Sequence, residues 1–206
     1  MRGNRRKAGR IARLAALALV ALPLAAACGD GPDDAPDPTP TASGDTNVTD
    51  GRFTAADLIP DLQSDGFVKQ ESGRPQGATT DQDVHFAIFA GTGAVAAVRI
   101  EVNMQATDDV AATQFNTLAD ALRNPPPDLF GPNATQADAT PVHQADQSRS
   151  YVTTNPDATG NLVYTDAHRF DRAIVIIYVI SNDETESAEL REQLALWIED
   201  QMAKNS

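Results

Sequence analysis

Asp81-Gln82-Asp83-Val84-His85 sets oxygen and nitrogen donors at every second position. Side chains of an extended strand alternate between faces, so Asp81, Asp83 and His85 would share one side. Asp166 and His168 repeat that spacing later in the chain. Were the two strands neighbours, Asp83, His85, Asp166 and His168 would converge on zinc or another divalent ion. The plainer reading makes them solvated strand-edge and turn residues, because no HxxxH, HExxH or calcium-loop spacing accompanies them. No residue is therefore assigned as a catalytic, cofactor-binding or metal-ligating group. No nucleophile elbow, phosphate loop or dinucleotide-binding turn occurs, and Gly91-Thr92-Gly93 reads as a hairpin turn. Serine, histidine and aspartate are all present, but a triad is defined by geometry, not by inventory. The expectation is a chain that is not an enzyme and carries no cofactor.

One further residue could carry chemistry: Cys28, the single cysteine, which ends the apolar run from Leu14 to Ala27. Arg2, Arg5, Arg6, Lys7, Arg10 and Arg13 precede that run. A basic start, an apolar stretch and small residues before a cut are the three parts of an export signal. The stretch is 14 residues long. That gives roughly 21 Å of helix, short of the ~30 Å hydrocarbon core, so a permanent span is not expected. The four residues Ala25-Ala26-Ala27-Cys28 resemble the lipobox of bacterial lipoproteins, whose usual form is Leu-Ala-Gly/Ala-Cys. Here alanine replaces the large aliphatic residue, with Leu24 one place further out. The resemblance implies cleavage before Cys28 and attachment of diacylglycerol, with palmitate-type chains, to its sulfur. Ala25-x-Ala27 also satisfies the ordinary secretory rule, which would release a soluble protein. Arg5-Arg6 stands outside a matching twin-arginine context.

Composition fits export. The chain has 16 basic and 29 acidic residues; six of the basic ones precede Cys28, leaving ten against 29 and a formal charge of −19. Such a domain does not favour nucleic acid or anionic lipid surfaces. With Cys28 acylated no thiol remains for a disulfide, so an apolar core must supply the stability. Residues 28–50 are rich in Asp, Pro and Thr with almost no large apolar side chain, which is the composition of an extended, disordered tether. The expected organisation is a signal peptide over 1–27, a tether over 28–50 and one domain over 51–206.

The elements of that domain follow from periodicity. Ala55 to Leu62 reads as a short helix or turn, and Phe67 to Glu71 as a first strand. Val84 to Ala90 and the alternating Ala96, Val98, Ile100, Val102 and Met104 flank the glycine turn as a hairpin. Thr107-Asp108-Asp109 caps a helix whose face is Val110, Phe115, Leu118, Ala119 and Leu122, and which must stop before Pro125-Pro126-Pro127. Asn124 to about Gln147 reads as a polar surface loop; within it Phe130 is either an exposed contact or, with Leu129, a plug on the domain. Ser150–Thr154 is a strand, and Leu162–Arg169 with Ala173–Ile180 a second hairpin. The run Ala173–Ile180 is apolar on both faces and belongs at the sheet centre. A closing helix begins at Asp183 and buries Leu190, Leu194, Trp197, Ile198 and Met202. The fold class is α+β: an antiparallel sheet of about five to six strands with two main helices packed on it.

Leu58-Ile59-Pro60-Asp61-Leu62 with Asp65-Gly66-Phe67, the run Val95 to Leu122, and the closing hairpin and helix from Tyr164 together resemble the PsbP-like α/β/α domains of actinobacterial-type envelope lipoproteins. The resemblance covers most of residues 53–203. It implies an assembly factor, an envelope accessory or a binding module more readily than an enzyme. The expected function is a non-catalytic binding or accessory lipoprotein on the outer, extracytoplasmic face of the cell membrane. Its partners would be the membrane, through lipid on Cys28, and an envelope protein or small molecule. The alternative is a small-ligand or lipid carrier with a cavity between sheet and helices.

Overall fold

A computed structural model describes residues 53–123, 135–157 and 159–205. The signal segment, Cys28, the 28–50 tether and the Leu129-Phe130 pair lie outside the described residues. Among the described residues no helix is long and apolar enough to cross a membrane.

The strands are β1 (Val68–Gly73), β2 (Asp83–Ala90), β3 (Val95–Met104), β4 (Gln136–Ala139), β5 (Gln147–Thr153), β6 (Leu162–Phe170) and β7 (Ala173–Ser181). They form one antiparallel sheet in the order β1-β2-β3-β7-β6-β5-β4. The helices are α1 (Asp108–Arg123) and α2 (Glu184–Lys204), with short 3-10 turns at Ala55–Leu58 and Gln63–Asp65. The α+β class expected from the pattern is the class found. The strand number is seven instead of five to six, because the stretch read as a polar loop contains β4. Gln136-Ala137-Asp138-Ala139 has no β-branched or aromatic residue; pairing along β5 makes it a strand, and β-propensity follows such context.

β7 is the fourth of seven strands, as its two-sided apolarity requires. Its successive side chains go to opposite cores. Val175, Ile177 and Val179 join Phe89, Val98, Ile100 and Val102 under α2, whose Leu194, Ala195, Ile198 and Met202 close that core. Ile174 lies on the other face with Ala167, beneath Ala111, Phe115 and Ala119 of α1. The two helices therefore cover opposite faces of the sheet. Fully burying each Ile or Phe contributes about 1.5–3 kcal/mol, so both faces stabilise the domain.

Two expected faces shift. Val110 is exposed, because the buried row of α1 runs Ala111, Phe115, Ala119 at spacings of four, one position away from Val110. Ala96 is half-buried, because the β3–β7 register breaks between Val95 and Ala97. The extra residue of this bulge puts Val95 and Val98, three apart, into the same core.

The turns have local causes. A side chain at Gly91 would put its Cβ 2.1 Å from the Val95 carbonyl oxygen, whereas Gly93 has open space. Asp171 adopts φ 51° in the Asp171-Arg172 turn between β6 and β7, a conformation that aspartate tolerates better than most residues. Asp183 caps α2 by accepting from the Glu186 backbone N–H at 3.0 Å. Asp183→Ala is expected to lower unfolding stability by about 1 kcal/mol in a urea titration; no shift in the midpoint would show that the cap contributes nothing.

Candidate functional site

The strand order separates the four residues that could have met at a metal. β3 and β7 lie between β2 and β6, so Asp83 and His85 stand about 14 Å from Asp166 and His168 at roughly 4.8 Å per strand. Among the described residues no group of three or more His, Cys, Asp or Glu side chains is placed to hold a metal ion. Asp83 instead acts structurally, since its carboxylate accepts from the Ala55 backbone N–H at 3.0 Å and clamps the 3-10 turn to β2. His85 lies 3.2 Å from the Ser72 hydroxyl on the neighbouring strand, and partial burial holds its pKa down.

Asp166 and His168 are fully buried on the α2 side of β6. One nitrogen of Arg191, on α2, donates to both Asp166 carboxylate oxygens at 3.0 and 2.9 Å, and the Ser150 hydroxyl also donates to Asp166. Arg191 is itself buried; its Nε donates to the Ser187 carbonyl at 3.2 Å, and its guanidinium lies 5.1 Å from the centre of the Tyr164 ring. Burial pushes the Asp166 carboxyl up, against the pull of Arg191 and Ser150. The result is a dry ion pair that ties the middle of α2 to β6.

His168 belongs to a second cluster, whose α2 member, Glu199, lies about two turns beyond Arg191. The His168 Nδ1 is 3.0 Å from Ser148 Oγ, which accepts from the Ala145 backbone N–H at 3.0 Å. The Ser148 hydroxyl can donate to Nδ1 or accept from it, according to which ring nitrogen carries the proton. Among the described residues Nε2 has no hydrogen-bond partner. The His143 ring stands edge-on 5.9 Å away, Phe170 lies 5.7 Å away, and His143 Nε2 is 3.4 Å from Glu199 on α2. Burial lowers the His168 pKa to about 4, with His143 and Arg191 adding to the shift. Beside this cluster is an open depression of about 350 Å³ lined by Gln144, Ala145, Asp146, Phe170, Asp171, Glu199 and Met202.

Serine, histidine and aspartate therefore meet here, but not in a relay. Asp166 engages Arg191 and Ser150, while Ser148 holds the imidazole at Nδ1 and, among the described residues, no carboxylate meets Nε2. A buried imidazole of this kind responds to protons, and the ion pair positions a helix. Arg191, Ser148, Ser150 and His143 were not singled out by sequence pattern. A signal for Arg191 existed: it lies on the buried row Ser187, Arg191, Leu194, Ile198, Met202, at helical spacing, where a charge demands a buried partner.

No family model and no curated protein matches the chain. Among solved structures, the chain is similar to the extracellular domain of PknH from Mycobacterium tuberculosis, at 15% identity and a TM-score of 0.50. The match covers 73% of this chain and 95% of that one. At that identity the likeness is one of fold.

Proposed function

We propose that the chain is a lipoprotein held on the outer face of the cell membrane by diacylglycerol on Cys28, and that its domain is a non-catalytic binding or accessory module of the cell envelope. The observation that carries this reading is the basic start and apolar run ending in the chain's single cysteine. Two or three acyl chains hold a protein on a bilayer stably, where one does so marginally. The reading is supported by the acidic balance after Cys28 and by the fold likeness to a domain described as extracellular. The PsbP-like assignment is supported by an antiparallel sheet with α1 and α2 on opposite faces.

Buried histidine and aspartate favour a binding role over catalysis, since both are sealed under α2. The depression at the foot of α2 is open and rimmed by Gln144, Asp146, Asp171 and Glu199, a lining that does not favour an apolar cargo.

Cys28→Ala is expected to move the protein from the membrane pellet to the soluble exported fraction and to abolish incorporation of labelled palmitate. A variant that stays in the pellet, or a wild-type chain that takes up no label, would overturn the anchor.

A further inference from the structure

Two imidazoles meet between β6 and the connection from β4 to β5. His168 comes from the strand and His143 from the connection; their rings stand 5.9 Å apart at 74°, and both pack on Phe170. Among the described residues Nε2 of each is buried and has no hydrogen-bond partner. One orphaned buried nitrogen is uncommon, and two on neighbouring rings call for a shared occupant. We propose that His143 and His168 together bind one divalent metal ion of borderline softness, zinc above all, through their two Nε2 atoms.

The spacing suits that ion. A zinc–imidazole bond is about 2.0–2.1 Å long, so two rings on one zinc have their centres roughly 5–6 Å apart. A ligating histidine usually has its other ring nitrogen hydrogen-bonded, which fixes the tautomer and the direction of the ring. Ser148 Oγ can do this for His168. It lies 3.0 Å from Nδ1 and can accept there with one lone pair while the other takes the Ala145 N–H. The ring proton then sits on Nδ1, and Nε2 presents a lone pair.

The surroundings favour a cation. Glu199 Oε2 comes within 3.4 Å of His143 Nε2 without a hydrogen bond, so a carboxylate stands beside the pair. The depression leads from solvent to Phe170 and Glu199, and its rim of Asp146, Asp171 and Glu199 attracts positive charge. Among the described residues no set of three His, Cys, Asp or Glu donors is in place. The chain therefore supplies two nitrogens, and water or a donor from a bound partner fills the remaining positions of the ion. Nitrogen ligands select zinc and its neighbours over magnesium and calcium, which take oxygen.

Titration of the full chain, free of any histidine tag, with zinc tests the site. One zinc per chain is expected, undisturbed by excess magnesium or calcium. The sequence has three histidines, so the third serves as a control. His143→Phe, which keeps a ring against Phe170, and His168→Gln should each weaken binding by about 100-fold, since even the groups that orient metal ligands are worth 10–100-fold. His85→Gln should bind as the unaltered chain does. Zinc should raise the unfolding midpoint of the unaltered chain and of His85→Gln, but not that of His143→Phe. The proposal is overturned if zinc does not bind, if magnesium or calcium displaces it, or if binding survives His143→Phe. Should the variants fail to fold, X-ray absorption of the zinc-loaded unaltered chain decides: two imidazole nitrogens are expected around the ion, and a shell of oxygen alone would overturn the site.

Discussion

Arg191→Met is expected to lower the unfolding free energy by about 3–5 kcal/mol at neutral pH, because it leaves the Asp166 carboxylate buried without its cation. Asp166 is fully buried and, of its two side-chain donors, keeps only the Ser150 hydroxyl. The deficit has a pH signature. Without Arg191, the burial that already raises the Asp166 pKa acts almost unopposed. A carboxyl with a raised folded pKa leaves stability intact below its unfolded value near 4 and costs stability as pH climbs through the folded value. The difference between variant and wild type should therefore be greatest at neutral pH and shrink on acidification. Asp166→Leu combined with Arg191→Met removes both charges, and the double variant is expected to recover most of the loss, since a buried pair is often worth no more than an apolar replacement. Urea unfolding at pH 7 and pH 4.5 measures all of this. Additive losses in the double variant would show that the two residues do not act as a pair.

Phe115→Ala should cost about 3–5 kcal/mol, as for other fully buried aromatic residues truncated to alanine. The core under α1 is small: Phe115 packs with Ala111, Ala119, Ala167 and Ile174, with Leu118 and Leu122 at its margin. Its alanines cannot move in to fill a cavity. Beyond these contacts, the Tyr151 hydroxyl donates to the Ala119 carbonyl at 2.9 Å and pins the helix to β5. Val110→Ala, on the exposed turn of the same helix, should stay within about 0.5 kcal/mol. A loss below about 1 kcal/mol for Phe115→Ala would mean that α1 is not held by this core.

How far the sequence reached depends on whether a residue's environment is written in its neighbours. The hairpins were legible because alternation in β3 and two-sided apolarity in β7 are local patterns, and the caps at Thr107 and Asp183 are local chemistry. β4 was not legible: its four residues lack strand preference, and their conformation comes from β5. The cluster around His168 was half legible. Spacing put Asp166 and His168 on one face, but the partners come from β5, the 142–146 segment and α2, which only the tertiary fold brings together. The order of strands decided that Asp83 and His85 would not join them, and spacing within a strand carries no information on which strands become neighbours.

The strand order also sets how the chain must assemble. β1, β2 and β3 form one run of sequential antiparallel neighbours and β4 to β7 another, so the two runs meet at the single seam between β3 and β7. There Ile100 pairs with Ile177 and Val98 with Val179, residues far apart in sequence. Closing that seam requires a long loop to be fixed before any contact repays it, which makes it the slow step expected of non-local pairing. Until residues 173–181 arrive, β3 has an unpaired, strongly apolar edge, the kind of surface on which chains associate wrongly. A chain shortened before β7 would keep that edge open permanently.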